Sequence, residues 1–193
     1  MGRGALKGLE VGATGLAFVA GLGVLALALL IGFDVVARKL FGYSVQGTDE
    51  LGGYALAMVG SLGMAHVLCE RAFTRIDLLV RRLPAGAQGL AHVAAYWALA
   101  GMVLFMAWRG WLTLADTLTF QSRANTPLQT PLWIPQGLWV AGLAYFALAA
   151  VVHALRAALL FATAPGRISV EYGGASVEEE LEAFTTDRAD GRA

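Results

Sequence analysis

Charge is scarce in this sequence. Only 15% of its 193 residues are Asp, Glu, Lys or Arg, where a soluble domain carries roughly a quarter. What charge there is clusters between long apolar stretches, as lipid requires. Cysteine is nearly absent. Cys69 stands alone, which excludes an internal disulfide and a cysteine metal cluster. No basic stripe with interleaved aromatics occurs, so nothing points to nucleic acid. Walker, nucleophile-elbow and HExxH motifs are missing, so the chain does not read as an enzyme and calls for no cofactor. Nor is there a long internal repeat or the inverted repeat of a complete secondary transporter.

What is present is hydrophobicity: 58% of the residues are apolar. Residues 11–33 are 23 positions without a charge, and about 20 apolar residues span the roughly 30 Å hydrocarbon core. Arg3 and Lys7 precede this run, but it is too long for a signal-peptide core. No clear small-residue cleavage site follows, so it reads as a retained first helix. Further spans are expected over 51–69, 88–108 and 135–156. Thr48 is placed to cap the second, with Asp49 and Glu50 in its first turn, where carboxylates favour the positive helix end. Pro127, Pro131 and Pro135 break the approach to the fourth. The expected fold is an all-α integral membrane protein of four transmembrane helices. Residues 1–165 form the membrane domain.

Lys and Arg counts set the expected topology. Arg3, Lys7, Arg71, Arg75, Arg81, Arg82, Arg156 and Arg167 fall on one side. Arg38, Lys39, Arg109 and Arg123 fall on the other. The bias places both termini in the cytoplasm.

The connection at 70–83 carries Phe73, Ile76, Val80 and Leu83 at helical spacing, with arginines toward another face. This pattern suits a short interfacial amphipathic helix between the second and third spans, its arginines on anionic lipid. A solvated charged turn is the alternative, and Leu78 violates the pattern. Residues 171–193 hold seven of the fourteen acids and two of the fourteen bases. The tail at 166–193 is therefore expected to be acidic, cytoplasmic and disordered.

His66, His92 and His153 fall toward one end of the second, third and fourth spans. Paired histidines on facing helices can hold a haem iron, which would make the chain a haem- or quinone-linked membrane anchor of an electron-transfer complex. Hydrogen bonding between helices is the simpler role for such residues. Ala13, Ala17 and Gly21 form one stripe of small residues, and Gly53, Ala57, Ser61 and Ala65 another; such stripes let backbones approach. Trp108, Trp111, Trp133 and Trp139 suit an aromatic belt. Asp34, Asp49, Glu50, Asp77 and Asp116 lie at or beyond the span ends, so no carboxylate marks an ion path through the membrane.

With the spans placed, the stretch DVVARKLFGYSVQGTDELGGYALAMVGSLGMAHVLCERAFTRIDLLVRRLP and the later TPLQTPLWIPQGLW carry a resemblance. The chain resembles the small permease subunit of tripartite ATP-independent periplasmic (TRAP) transporters, the DctQ-like family, over about residues 10–160. Arg38, Glu50, Gly63, Arg71, Arg75 and Asp77 carry the first part of the likeness. Pro131, Trp133, Pro135 and Gly137 carry the second. The family often has a histidine in an HI-x-V-D segment; here the segment reads Phe73-Thr74-Arg75-Ile76-Asp77.

The resemblance implies a three-part system of the inner membrane. A periplasmic solute-binding protein captures an organic acid. A large permease subunit carries it through the bilayer on an ion gradient, typically sodium. The small subunit scaffolds the large one and helps present the docking surface. Arg38, Glu50, Gly63, Arg71, Arg75, Asp77, Trp133 and Pro135 are the implied contacts with partners or membrane lipids, and no catalytic or metal residue is expected.

Overall fold

A computed structural model describes residues 3–70, 72–73, 80 and 83–164. Among these, four long helices follow one another: α1 (Arg3–Phe41), α2 (Thr48–Cys69), α3 (Ala85–Phe120) and α4 (Trp133–Thr163). All four are long and apolar enough to cross a membrane. Most of the expected interfacial helix at 70–83, with Arg71, Arg75 and Asp77, lies outside the described residues, as does the tail at 166–193.

The helices overrun the expected spans. α1 has 39 residues, roughly 58 Å at about 1.5 Å each, against about 30 Å of hydrocarbon. Charge ends a span, but it does not end a helix. α1 runs on through Asp34, Arg38 and Lys39 and stops where Gly42 adopts φ +65°, its N–H bonded to the Arg38 carbonyl at 3.2 Å. This is the left-handed helix stop that glycine favours. α3 continues past Trp108 to Phe120. There Gln121 turns left-handed at φ 51° and the Ser122 N–H reaches the Thr117 carbonyl at 3.1 Å, which is a Schellman closure. α4 runs beyond Arg156 because an Ala- and Leu-rich sequence follows without a breaker before Pro165.

The starts also differ in detail from expectation. α2 begins after Gly47, held at φ +86°. Thr48 is the first helical residue rather than the cap, and its hydroxyl donates to the Val45 carbonyl at 2.9 Å. α4 starts at Trp133, two residues before Pro135. The Gln136 N–H is bonded to the Leu132 carbonyl at 3.1 Å. Pro135 thus falls in the first turn, where an N–H has no partner within the helix.

The chain divides into two compact units, Met1–Phe73 with Tyr96–Arg156, and Thr74–Ala95 with Ala157–Ala193. Within the first, α4 is the hub. Its Tyr145 hydroxyl donates to the Leu9 carbonyl of α1 at 2.9 Å, and the same ring lies over Gly12. Its Gly142 meets Ser61 of α2, and its Trp139 and Val140 cover Gly110 of α3. Val140, Leu143, Phe146, Ala147, Ala149, Ala150 and Ala154 are buried along it. Phe73 packs against Phe146, the rings tilted by 31° with centroids 6.3 Å apart.

α1 is the opposite case. Its buried and half-buried positions include Leu6, Leu9, Ala13, Leu16, Ala20, Leu27, Leu30, Asp34 and Ala37. Steps of three and four keep these positions in one narrow seam along the helix. Phe18, Leu22, Leu25, Leu29 and Phe33 on its other faces are exposed. The expected stripe of four-residue steps drifts about 40° per step around a helix. Accordingly Ala13 is buried, Ala17 half-buried and Gly21 exposed. The α2 stripe divides the same way: Ser61 and Ala65 are buried, Gly53 and Ala57 exposed.

Candidate interaction surfaces

Two connections meet at one end of the larger unit: residues 42–47 between α1 and α2, and residues 121–132 between α3 and α4. Each is organised by a carboxylate. Asp34, only 3% exposed, sits in the last turns of α1. It accepts the Val45 N–H at 2.6 Å and the Ser44 hydroxyl at 3.3 Å, and it pairs with Arg38 one turn on. A buried carboxylate needs such donors to offset its lost hydration. Together they fold the 42–47 turn back onto the helix that precedes it.

Glu50 does the equivalent for the second connection. It lies in the first turn of α2 but does not cap its own helix. Its carboxylate accepts the Tyr54 hydroxyl at 2.6 Å and the Thr126 hydroxyl, with Thr130 close beside it. The 121–132 segment is itself a small hairpin. Ala124 N–H bonds to the Thr130 carbonyl at 3.0 Å and Leu132 N–H to the Ser122 carbonyl at 3.1 Å, with a bridge between Arg123 and Pro131. At its tip Gln129 takes φ 48° and its N–H bonds to the Thr126 carbonyl at 3.0 Å. Leu128 then lies so close over Gly47 that a Cβ there would overlap it.

Of the family-like residues, Arg38, Glu50, Trp133 and Pro135 fall at this end and Gly63 farther along α2, while Arg71, Arg75 and Asp77 lie outside the described residues. Arg38 has a local partner in Asp34, yet its side chain stays 63% exposed. Glu50 is half-buried in the hairpin contact. Trp133 is 48% exposed at the head of α4, while Pro135 two residues on is buried. Gly63 lies in mid-α2, and a Cβ built on it would meet nothing within 4 Å, so that face of α2 is open.

Asp34, Tyr54, Thr126 and Thr130 were not among the residues that sequence reasoning selected. Asp34–Arg38 and Glu50–Tyr54 are i,i+4 pairs and were findable from spacing. Thr126 reaches Glu50 across 76 positions, which no local pattern reveals.

The histidines occupy packing positions. His66 Nδ1 lies 3.4 Å from the Thr14 hydroxyl, and the His153 ring stacks on Tyr96 at 6.2 Å. His92 is buried. Among the described residues, no group of three or more His, Cys, Asp or Glu side chains could hold a metal.

Four membrane-length helices with a large apolar exterior and polar connections define a multi-pass membrane protein. Residues 27–160 match the family described as tripartite ATP-independent periplasmic transporters, DctQ component. The match covers more than half of the sequence, and the chain belongs to that family: it is a TRAP transporter small membrane subunit. Comparison with curated proteins and with solved structures gave no match. A DctQ component belongs to a transporter and associates with its other components; nothing found supports the haem- or quinone-anchor alternative.

Proposed function

We propose that this chain is the fixed membrane scaffold of its transporter. It lies in the bacterial inner membrane with both termini in the cytoplasm, so the connections at 42–47 and 121–132 face the periplasm. It holds the large permease subunit in lipid and helps dock the solute-binding protein. The large subunit moves an organic acid on an ion gradient, sodium being the coupling ion typical of such systems.

The observation that carries this reading is the exposure of α1. A helix of 39 residues buries one seam and leaves Phe18, Leu22, Leu25 and Leu29 uncovered. Lipid tails are as apolar as those side chains, so the face is stable in a bilayer and free to pack against another membrane helix. Photo-crosslinking side chains placed at residues 18, 22, 25 and 29 test it in cells that also produce the large subunit. Crosslinks to the large subunit from this face are expected, with few from the Leu16 and Ala20 seam. Failure of the tagged small subunit to retain the large subunit in mild detergent would overturn the scaffold reading.

A further inference from the structure

Glu50 is half-buried at the start of α2, and its carboxylate is turned into the chain. Two hydroxyl donors converge on it. Tyr54 comes from the next turn of its own helix, while Thr126 comes from the distant hairpin. A carboxylate that collects two hydroxyl donors forms strong, charge-assisted bonds. The opposite edge of the same contact is apolar and tight. Leu128 seats on Gly47, where an added Cβ would overlap it and where the left-handed backbone itself favours glycine. Polar anchor and apolar seat together clamp residues 121–132 onto the 42–47 turn.

We propose that Glu50 is a positioning residue for recognition of the solute-binding protein, through its clamp on the hairpin at Thr126. This rests on the docking role given above. The two connections then form one preformed surface, with Arg38, Arg123 and Trp133 around it, and no ordering is left to be done when the binding protein lands. Preorganisation of this kind raises affinity without adding a contact. Glu50 therefore acts through the hairpin and makes no contact with the partner itself.

The pair of membrane subunits, assembled in nanodiscs and in liposomes, provides the test. Variants are Glu50→Ala, Thr126→Val and Thr126→Ser. The probe is the fluorescently labelled binding protein of the same transporter, with the organic acid that raises its melting temperature. Glu50→Ala and Thr126→Val are expected to weaken its binding by about tenfold, in the range of one or two lost hydrogen bonds. The half-saturating concentration of binding protein rises with maximal uptake unchanged, and amide exchange quickens across 121–132. Thr126→Ser keeps the hydroxyl and behaves as the parent. Lower yield or maximal rate at unaltered affinity would make Glu50 merely structural and overturn the proposal. So would unchanged affinity despite faster exchange, or unchanged exchange. The large subunit alone is the separating control. If it binds the labelled protein as tightly as the pair does, the docking role itself falls. If the pair binds better and the variants match it, the Glu50 inference alone falls.

Discussion

Ser61 of α2 and Gly142 of α4 meet at backbone distance. A Cβ built on Gly142 would lie 2.6 Å from the Ser61 hydroxyl oxygen and 3.0 Å from its carbonyl carbon. Ser61 is 1% exposed, and its hydroxyl is returned to the Met58 carbonyl at 3.2 Å. In lipid, helices associate through such close packing because apolar side chains gain little by leaving the tails.

Gly142→Ala must therefore part α2 from α4. A loss of about 1–3 kcal/mol is expected, the usual scale of overpacking. Gly63→Ala is the control, since nothing lies within 4 Å of its added methyl. It is expected to be neutral or to stabilise by up to about 1 kcal/mol through helix propensity. Thermal unfolding of the purified protein in detergent measures both; equal melting temperatures for the two variants would contradict the packing described.

Tyr145 ties α4 to the first turns of α1. Tyr145→Phe removes its bond to the Leu9 carbonyl and is expected to cost about 0.5–1.5 kcal/mol. Gly12→Ala drives a methyl into the same ring and is expected to cost more. Proteolysis near the start of α1 reads the difference: cleavage accelerates in both, faster in Gly12→Ala. Unchanged cleavage in both would show that this contact does not hold α1.

Asp34→Ala strips the 42–47 turn of its acceptor for Val45 and Ser44. Faster amide exchange is expected at residues 43–47, with exchange in mid-α2 unaffected. If Val45 stays protected, another acceptor organises the turn.

Much of this architecture was legible in the sequence, because a membrane leaves few solutions. Uncharged runs located all four helices, and the Pro-rich approach located the start of α4 to within two residues. The helix ends were not legible from charge. Asp34 and Arg38 belong to α1 because they satisfy each other and the following turn inside the chain. The small-residue stripes were half right, since a four-residue step drifts away from a seam of period 3.5. The clamp on Glu50 was hidden. Its two halves are 76 positions apart, and a carboxylate at a helix start has an adequate local explanation in the helix dipole.

The topology rests on eight basic residues against four. Reporter fusions after Arg167 and within residues 122–126 are expected to report cytoplasm and periplasm respectively. The reverse pattern would place the Glu50 end in the cytoplasm, out of reach of any periplasmic protein.

The scaffold role is tested most directly by uptake into liposomes. The small subunit alone, the large subunit alone and the two together are each reconstituted with the binding protein and an inward sodium gradient. The tracer is the radiolabelled organic acid that stabilises the binding protein. Accumulation is expected from the pair, with none from the small subunit alone and little or none from the large subunit alone. Uptake by the small subunit by itself, or full uptake without it, would contradict the account.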